Sequence, residues 1–374
     1  MSQLPHSQRG VALLTALMVM AIAVMIAAAV VSTQHYDVKI QSNIQQLERA
    51  YQYTSGIEQM AGLWLQRDLK LNQTDSLQDT WATTLPEMPI KDGETVIGSF
   101  SGQIEDVQGL FNINTLLNDK DIQQDLGQTL LDKLLKAQQL PATYRVAITD
   151  WMDKNSQPQD NTSAEADFYM LNDPAYFAAN QPFTDASELA LVRLDTVDPE
   201  ATRKKLNELL KLVIALPRPK DFTKININTA PEALLRTLVP KDAELIISTR
   251  QTIPYDQDSL SSLISQGSEM GQAFESLLVN PAYLAKKKDN PNGEKLPPEH
   301  LLLYWTNVFG VTSNYFRLNG LIKIGAVRLN TVSLLERTAT GEIHILMRRF
   351  EYTTAQPAQS VGLDAELNSI NNTQ

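Results

Sequence analysis

Hydrophobic positions follow two different patterns in the first 71 residues. From Val11 to Val31 every residue except Thr15 is apolar, and these 21 residues would form a helix about 31 Å long, which matches the hydrocarbon core of a bilayer. Further on, apolar residues recur at i, i+4, i+7 and i+11 from Ile40. Because neither Gly nor Pro occurs between residues 11 and 55, we predict one helix from Val11 to about Leu71. Its first half suits lipid or a bundle of similar helices, and its second half must pack on a globular head.

Strand patterns follow this helix and return near the end of the chain. Residues 72–92 contain Pro86 and Pro89 and predict a loop, whereas Glu94–Val107 partly alternates between apolar and polar residues and predicts a strand. Three further strands are predicted at Tyr304–Ser313, Tyr315–Val327 and Ile343–Tyr352, with a hairpin turn at Thr340–Gly341.

Helical patterns dominate between the two strand regions. Seven helical segments are predicted within residues 111–280, at Asp121–Gln138, Pro141–Met152, Ser187–Val192, Pro199–Ile214, Pro231–Leu238, Lys241–Thr249 and Ser259–Ile264. Residues 281–300 are rich in charge, Pro and Gly and predict a loop. The chain therefore predicts an α+β fold, in which a long helix packs on an antiparallel sheet and a large all-α insertion interrupts that sheet.

This order of patterns divides the chain into six parts. Residues 1–10 form a leader, and residues 11–31 form the membrane-spanning half of the first helix. The remaining parts are the rest of that helix with the first strands of the head (32–110), the helical insertion (111–300), the returning strands (301–353) and a tail with the composition of a disordered segment (354–374).

The leader indicates a processing site in front of the apolar segment. It carries basic residues and no acidic one, so the positive-inside tendency places it in the cytoplasm and the head beyond the membrane. Secretory signals are cut after an apolar core of about 7–15 residues, but the small residues Ala27–Ala29 end a longer run. Cleavage after Gly10 would instead leave Val11 as the first residue and keep the helix, as in type IV pilin-like precursors. The alternative is an ordinary single-pass anchor that is never cleaved.

Composition disfavours several classes of function. A formal net charge of −11 argues against non-specific binding to nucleic acid. The chain has no cysteine, which excludes disulfides, thiolate metal sites and cysteine nucleophiles. Its four histidines lie at least 29 residues apart in sequence, so a histidine-rich zinc site or a charge-relay hydrolase is poorly supported.

One short motif occurs twice. Phe111–Thr115 reads Phe-Asn-Ile-Asn-Thr, and Ile225–Thr229 reads Ile-Asn-Ile-Asn-Thr. Each precedes a helical pattern, so we predict that Thr115 and Thr229 cap the following helices and that the Asn side chains bond to backbone groups of the turn. The simplest interpretation is a pair of structural helix starts.

A second interpretation of the later copy is helix-hairpin-helix DNA binding. Residues Ile225–Ile264 resemble the modules of competence-type DNA receptors, which contact phosphate through a glycine-rich hairpin. The corresponding stretch here, Leu238–Asp242, has no glycine and adds an acid. We therefore favour a protein-contacting module that is similar to helix-hairpin-helix or SAM domains, and keep a membrane-anchored DNA receptor as the alternative.

Acidic residues are concentrated between positions 150 and 167. Five carboxylates occur within these 18 residues, at Asp150, Asp153, Asp160, Glu165 and Asp167, together with the side-chain amide of Asn155. Such hard oxygen ligands are those that calcium prefers, although the spacing is not that of an EF-hand. The alternatives are an ordinary solvated acidic loop or the metal site of a membrane-tethered enzyme.

Several stretches of the chain together resemble the K-type minor pseudopilins of type II secretion (general secretion pathway protein K). They are Gln8–Leu14, Ile104–Asn114, Asp150–Asp153, Ala164–Tyr169 and Ser187–Leu189. The resemblance extends to about residue 352. It implies a non-enzymatic subunit at the tip of the pseudopilus that initiates assembly and supports export of folded proteins across the outer membrane. The subunit would be anchored in the inner membrane, with its head in the periplasm.

The resemblance also implies particular partners and sites. The partners are the I-type and J-type minor pseudopilins, the inner-membrane assembly platform and a prepilin peptidase that cuts after Gly10 and methylates Val11. By position, the calcium ligands of the family fall on Asp153, Asn155, Glu165 and Asp167. Most pilin-like helices have a glutamate at the fifth mature position, where it pairs with the amine of a neighbouring subunit, but this chain has Thr15.

Overall fold

Residues His6–Leu71 form one helix, which includes the whole segment from Val11 to Leu71 that the sequence predicts to be helical. The computed structural model describes residues 6–161, 164–195, 198–266 and 305–354. In it α1 runs from His6 to Leu71, which is 66 residues or about 99 Å of helix. The predicted loop at 281–300 and the predicted tail beyond Thr354 lie outside the described residues.

The packed face of α1 begins later than its apolar stripe suggests. Ile40 and Ile44 are 56 % and 44 % exposed. The apolar α1 side chains buried against the sheet are those of Ala50, Ile57, Ala61 and Leu65. The upstream part of the stripe is therefore an apolar surface on the outside of this chain.

The second half of α1 packs on a five-stranded antiparallel sheet. The strands are β1 (Leu85–Asp92), β2 (Thr95–Asp106), β7 (Tyr315–Ile324), β8 (Val327–Arg337) and β9 (Ile343–Thr354), in the spatial order β1-β2-β7-β8-β9. Because β2 and β7 pair directly, with Ile104 opposite Leu318, the chain between them is inserted into the sheet. We call this sheet, with α1 from Ala50 onward, the head.

The loop prediction for residues 72–92 is wrong at its end, because Leu85–Asp92 forms β1. Pro86 and Pro89 suggest a loop, since proline lacks the N–H that a central strand must donate. β1 lies at the edge of the sheet and pairs on one side only, so its prolines need not interrupt the pairing with β2.

Two other strand predictions are corrected. The predicted strand at Tyr304–Ser313 contains a helical turn at residues 305–308 and only two strand residues, Phe309 and Gly310, which form β6. The helical turn stacks Trp305 on Phe309, with ring centroids 5.6 Å apart, inside the insertion core. Conversely, β8 was not predicted, because the expected strand ran through the turn at Gly325, whose φ of +55° suits glycine.

The insertion consists of short helices and two-residue strands around a second core. Its elements are β3 (Phe111–Asn112), α2 (Asp125–Ala137), α3 (Thr143–Met152), α4 (Ala166–Tyr169), α5 (Pro199–Leu210), β4 (Val213–Ile214), β5 (Ile225–Asn226), α6 (Glu232–Leu238), α7 (Ala243–Thr252) and α8 (Gln257–Gln266), with 3-10 helices at Ile113–Leu116 and Ala186–Leu191. Leu134, Ile148, Leu234 and Ile246 are among its fully buried side chains, and this core is separate from that of the head.

Most predicted helices of the insertion are present, with three changes. Asp121–Gln138 starts late, at Asp125, and Pro199–Ile214 ends early, because Val213 pairs with Phe111 in a short parallel ladder. The segment predicted at Ser187–Val192 is a 3-10 helix that begins with a capping box between Asp185 and Glu188.

The repeated Asn motifs form the same local turn twice. Asn112 Oδ1 accepts the N–H of Asn114 at 3.1 Å, and Asn226 Oδ1 accepts the N–H of Asn228 at 3.0 Å. The Asn side chains thus bond to backbone groups of the turn, as the sequence predicts.

The second Asn of each motif also holds a distant segment. Asn114 accepts the N–H of Phe183 at 2.8 Å and donates to its carbonyl at 2.9 Å. Asn228 makes the corresponding pair with Tyr255, at 2.7 Å and 2.9 Å. We call these two pairs the asparagine clamps.

The predicted threonine caps are wrong. Thr115 Oγ1 donates back to the carbonyl of Asn112 at 2.7 Å, and α2 begins only at Asp125. Thr229 Oγ1 donates to Asp106 Oδ2 at 2.6 Å, and Pro231 precedes the first residue of α6 without a side-chain cap. Both hydroxyls stabilise the motif turns instead of a helix start.

Asp106, at the end of β2, joins the insertion to the head. Its Oδ2 accepts hydrogen bonds from Ser313 Oγ at 2.6 Å, Thr229 Oγ1 at 2.6 Å and Asn226 Nδ2 at 2.9 Å. Its Oδ1 accepts the N–H of Gln108 at 2.8 Å. Burial raises the pKa of this carboxyl to about 6, despite the donors around it.

Candidate functional site

Three buried acidic side chains lie where α3 ends and α4 begins, near enough for the charges of two of them to affect the pKa of the third. Asp150 lies in the last turn of α3 and is fully buried, while Asp153, which ends that helix, and Glu165, which precedes α4, are each 7 % exposed. The N–H of Asp153 donates to the carbonyl of Thr149, and the carbonyl of Glu165 accepts the N–H of Tyr169. Helix ends therefore fix the backbone of the two outer members of the cluster.

The loop after α3 wraps around these carboxylates. Asp150 Oδ1 accepts the N–H of Gln159 at 3.3 Å, and Asp153 Oδ1 accepts the N–H of Asn155 at 3.2 Å. Each of the two carboxylates thus accepts a backbone N–H of the loop that follows α3.

Glu165 points most directly to a cation. Both of its carboxylate oxygens are buried, and neither accepts a hydrogen bond from any residue that the structure describes. Burial, together with the charges of Asp150 and Asp153, raises the pKa of Glu165 to about 7, and burial and Asp150 raise the pKa of Asp153 to about 6. A buried cluster of like charges is costly unless protons or a cation neutralise it. The donor set therefore fits a hard divalent cation such as calcium.

Aromatic rings adjoin the cluster. Trp151 meets Tyr169 edge to face at 5.0 Å, and Tyr169 stacks on Tyr176 at 5.3 Å. Burial raises the pKa of Tyr169 to about 12, and the charges of Asp150 and Glu165 contribute to this rise. The rings keep water away on this side, which strengthens the electrostatic interactions of the carboxylates.

The remaining residues of the predicted ligand set are on the surface. Asn155 is exposed, and its Oδ1 accepts the N–H of Gln157 at 2.8 Å. Asp167 is exposed in the first turn of α4, and Asp160 is exposed in the loop. Of the four predicted ligands, the structure thus buries Asp153 and Glu165 and leaves Asn155 and Asp167 outside the buried cluster.

Asp150 was in the acidic region but not in the predicted ligand set. The sequence does indicate that Asp150 lies near Asp153, because residues three apart on a helix lie on the same face. The sequence did not indicate that Asp150 is fully buried, since that depends on the packing of α3 against the insertion core.

The predicted processing site lies within α1. Gly10 and Val11 belong to the helix, and Val11 is 63 % exposed. Thr15 is exposed one turn further on. The described helix from Leu13 contains an 18-residue window with a mean hydropathy of 2.7 and none of it buried, so by length and composition it can cross a membrane.

The α6–α7 hairpin lacks the features of a phosphate site. Asp242, directly before α7, is 3 % exposed, so an acid stands at the helix N-terminus that phosphate would approach. Lys133 Nζ donates to the carbonyl of Leu238, and Arg236 is ion-paired with Glu244. These contacts disfavour the DNA-receptor alternative and fit a hairpin packed against protein.

Comparison with known proteins gives consistent matches. Residues 109–218 match the family model for type II secretion system protein K. The chain is 28 % identical over 355 residues to type II secretion system protein K of Pseudomonas aeruginosa, covering 92 % of this chain and 93 % of that protein. It is 32 % identical over 259 residues to type II secretion system protein K of Klebsiella pneumoniae, covering 64 % of this chain and 73 % of that protein.

The fold is also similar to that of a solved structure. This is a chain in the crystal structure of the GspK–GspI–GspJ complex from the enterotoxigenic Escherichia coli type 2 secretion system. The TM-score is 0.60, and the match covers 82 % of this chain and 97 % of that chain at 22 % sequence identity. The α+β fold predicted from the sequence is confirmed.

Proposed function

Since this chain belongs to the type II secretion system protein K family and is a minor pseudopilin of that system, we propose that it occupies the tip of the pseudopilus. The observation that carries the proposal is Thr15. After cleavage behind Gly10, Thr15 is the fifth residue, where pilin-like helices usually have a glutamate that pairs with the first amine of a neighbour. Without this carboxylate, the chain cannot pair with the first amine of a subunit ahead of it. A subunit behind it can still use its own glutamate to pair with the amine of Val11.

The insertion supports the same position. It has its own hydrophobic core and leaves the sheet between β2 and β7. The Asp106 hydrogen bonds hold it to the head, so it is a fixed part of the subunit. A domain of this size hinders the stacking of another subunit above it.

The proposed partners are the I-type and J-type minor pseudopilins, because the matched chain of similar fold belongs to a GspK–GspI–GspJ complex. The exposed apolar residues of α1 before Ala50, among them Val38, Ile40 and Ile44, give these partners a helical surface to pack on. With them the chain initiates pseudopilus assembly at the inner-membrane platform and supports export of folded proteins across the outer membrane.

The proposed location is the inner membrane, with the head in the periplasm. Prepilin peptidase cuts after Gly10 and methylates Val11. The test is the mass of the N-terminal peptide of protein recovered from inner membranes, with and without the peptidase. A peptide that begins at methylated Val11 and disappears without the peptidase supports the proposal. An intact leader would indicate an ordinary anchor.

Calcium is proposed as a structural ligand of the insertion. Asp150, Asp153 and Glu165 supply the buried carboxylates, and Asn155 and Asp167 complete the ligand set from the flanking segments. When bound, calcium neutralises the cluster and cross-links the end of α3 to the start of α4.

The proposed role of this site is structural rather than catalytic. The unpartnered oxygens of Glu165 are buried, and the rings of Trp151 and Tyr169 pack beside the cluster, an arrangement suited to holding an ion rather than admitting a substrate. Asp153→Ala is therefore expected to lower the stability of the insertion and export together. Loss of a turnover without loss of stability would indicate an enzyme instead.

The tip position is tested by giving the helix the usual carboxylate. In cells whose own copy is deleted, export stops and substrates remain in the periplasm, and the unchanged chain restores export. We expect Thr15→Glu to reduce export, because the added carboxylate attracts the first amine of another subunit to a position that the insertion hinders. Thr15→Val is the matched control, because it changes the side chain without adding charge. Normal export and a tip position for Thr15→Glu would contradict the proposal.

A further inference from the structure

A second acidic cluster lies in the head, where α1 meets the sheet. Asp68 is in the last turn of α1, Asp75 is in the following loop, and Asp79 precedes the 3-10 helix at Thr80–Ala82. One carboxylate oxygen from each residue lies within 4.8 Å of the others. Asp68 and Asp75 are buried, and Asp79 is half-buried.

One guanidinium adjoins the cluster but leaves part of its charge uncompensated. Arg337 Nη2 donates to both oxygens of Asp75, at 2.7 Å and 2.6 Å. Arg337 Nη1 lies 3.6 Å from Asp68 Oδ2, beyond hydrogen-bond distance, and donates instead to the carbonyl of Leu65 at 3.1 Å. Three carboxylates beside one guanidinium leave an excess of two negative charges when all are ionised.

Asp68 itself points to a ligand. The residue is 7 % exposed, and among the described residues no donor forms a hydrogen bond with its buried Oδ2, while Oδ1 accepts a hydrogen bond from Asn72 Nδ2 at 2.7 Å. Burial and the Asp79 carboxylate raise the pKa of Asp68 to about 6. A buried carboxylate oxygen without a donor, close to two further carboxylates, is an unfavourable arrangement that a cation would relieve.

The cluster has a route to solvent on the side of Asp79. Asp79 Oδ2 accepts the N–H of Ser76 at 2.7 Å, and Oδ1 lies 3.3 Å from Asn72 Nδ2. Asn72 is exposed and lies between Asp68 and Asp79, where rotation of its amide would offer an oxygen in place of the nitrogen. Water and an ion can thus enter without unfolding the head.

We propose that Asp68, Asp75 and Asp79 bind a divalent cation, with calcium preferred over magnesium. The donors are all oxygens, and one oxygen of each residue lies within 4.8 Å of the others, so all three can reach a single ion with bonds of about 2.4 Å, which is the calcium distance. Magnesium requires bonds of about 2.0–2.1 Å and near-ideal octahedral geometry. The ion links α1 to the loop before β1 and, through Arg337 and the N–H of Ser313 on Asp75, to the far strands of the sheet.

The test counts calcium ions bound to the full-length chain in detergent and measures its melting temperature with and without chelator. Glu165→Gln is expected to abolish calcium binding at the site in the insertion. Any calcium that this variant still binds is then bound at the site in the head. In this background one ion is expected to remain, and calcium to raise the melting temperature by on the order of 5 °C. Adding Asp68→Asn is expected to remove both effects, whereas the exposed Asp92→Asn is a matched control that keeps them.

Asp68→Asn also distinguishes a lost ligand from a damaged fold. In chelator it relieves charge repulsion, so its melting temperature is expected to equal or exceed that of the unchanged chain. Asp79→Asn, on the half-buried loop, provides a second variant and is expected to weaken calcium binding by at least about tenfold. The proposal is overturned if Glu165→Gln alone abolishes all binding, or if Asp68→Asn and Asp79→Asn bind calcium as well as the unchanged chain.

Discussion

Single side chains divide into two groups according to how their polar atoms are satisfied. The asparagines of the repeated motif use both amide atoms, so Asn228 satisfies a buried N–H and a buried carbonyl of Tyr255. Glu165 and Asp68, by contrast, have buried oxygens that accept no hydrogen bond within the described part of the chain. The first group stabilises the fold without help, and the second group makes stability depend on pH and on cations.

Glu165→Gln tests this dependence. The pKa of Glu165 is raised from 4.5 to about 7, so ionisation destabilises the fold, and stability without metal falls as pH rises from about 4.5 through 7. In chelator at pH 8, we expect the variant to be more stable than the unchanged chain by on the order of 1–2 kcal/mol, a gain that disappears near pH 4.5. Urea unfolding followed by tryptophan fluorescence measures this.

The exposed Asp119→Asn serves as the control for that experiment, since it removes a charge of the insertion that is already solvated and lies outside the proposed ligand set. In chelator it is expected to have little effect at either pH. In excess calcium we expect Glu165→Gln to be less stable than the unchanged chain, because the variant has lost a calcium ligand. Equal pH dependence in Glu165→Gln and the unchanged chain would show that Glu165 is not the titrating group.

Asn228→Ala tests the asparagine clamps. The substitution leaves the buried N–H and carbonyl of Tyr255 without partners, and we expect it to cost about 2–4 kcal/mol of unfolding free energy. Asn330→Ala, at an exposed position of β8, is the control and is expected to change stability by less than about 0.5 kcal/mol. A loss for Asn228→Ala no larger than that of the control would mean that water replaces the clamp.

Among the secondary-structure elements, those determined by the local sequence pattern are predicted correctly. Those that depend on pairing with a distant strand are not. α1 follows from its uninterrupted apolar and striped sequence, and its C-terminal end at Leu71 is as predicted. For the segment that forms β1, the sequence predicts a loop. Its prolines are compatible with a strand only at the edge of a sheet, and the sequence pattern does not show that β1 lies at an edge. The sequence predicts one strand where the structure has two, β7 and β8, separated by the turn at Gly325. The local pattern does not indicate this turn, because it depends on the pairing of β7 with β8.

Gly98→Ala tests the pairing between β2 and β7. Gly98 lies opposite Ile324, and a Cβ there would collide with the backbone carbonyl of Lys323. We expect a loss of at least about 2 kcal/mol, measured by thermal unfolding of the full chain. Gly56→Ala in α1 is the matched control, because a Cβ there meets nothing within 4 Å, and it should stabilise the protein by about 0.5–1 kcal/mol. If Gly98→Ala caused no loss of stability, the register of β2 against β7 would be contradicted.

At the scale of the whole molecule, polar contacts connect two hydrophobic cores. The head core contains Trp81 and Phe316, and the insertion core contains Trp305 and Phe309. Between them, Asp106 accepts hydrogen bonds from donors of both parts. The insertion therefore keeps a fixed orientation on the head, which a bulky tip subunit requires.

Asp106→Ala tests this connection. It leaves the hydroxyl groups of Ser313 and Thr229 and the amide of Asn226 without their shared acceptor. We expect a loss of at least about 3 kcal/mol, and calorimetry should resolve two transitions where the unchanged chain has one. Asp92→Ala, exposed in β1, should leave the single transition intact. A single transition at the normal temperature for Asp106→Ala would mean that apolar contacts alone join the two parts.

The sequence by itself determined the long helix, the α+β class with its helical insertion, the acidic region and the family, because these depend on local pattern and on motifs contiguous in the chain. The tertiary structure alone decided which acids are buried. Asp150 entered the insertion cluster because α3 packs against the insertion core, and Asp68, Asp75 and Asp79 met because the end of α1 folds back onto β8. Burial and proximity of charges arise only when distant segments exclude water together, and no local pattern encodes that.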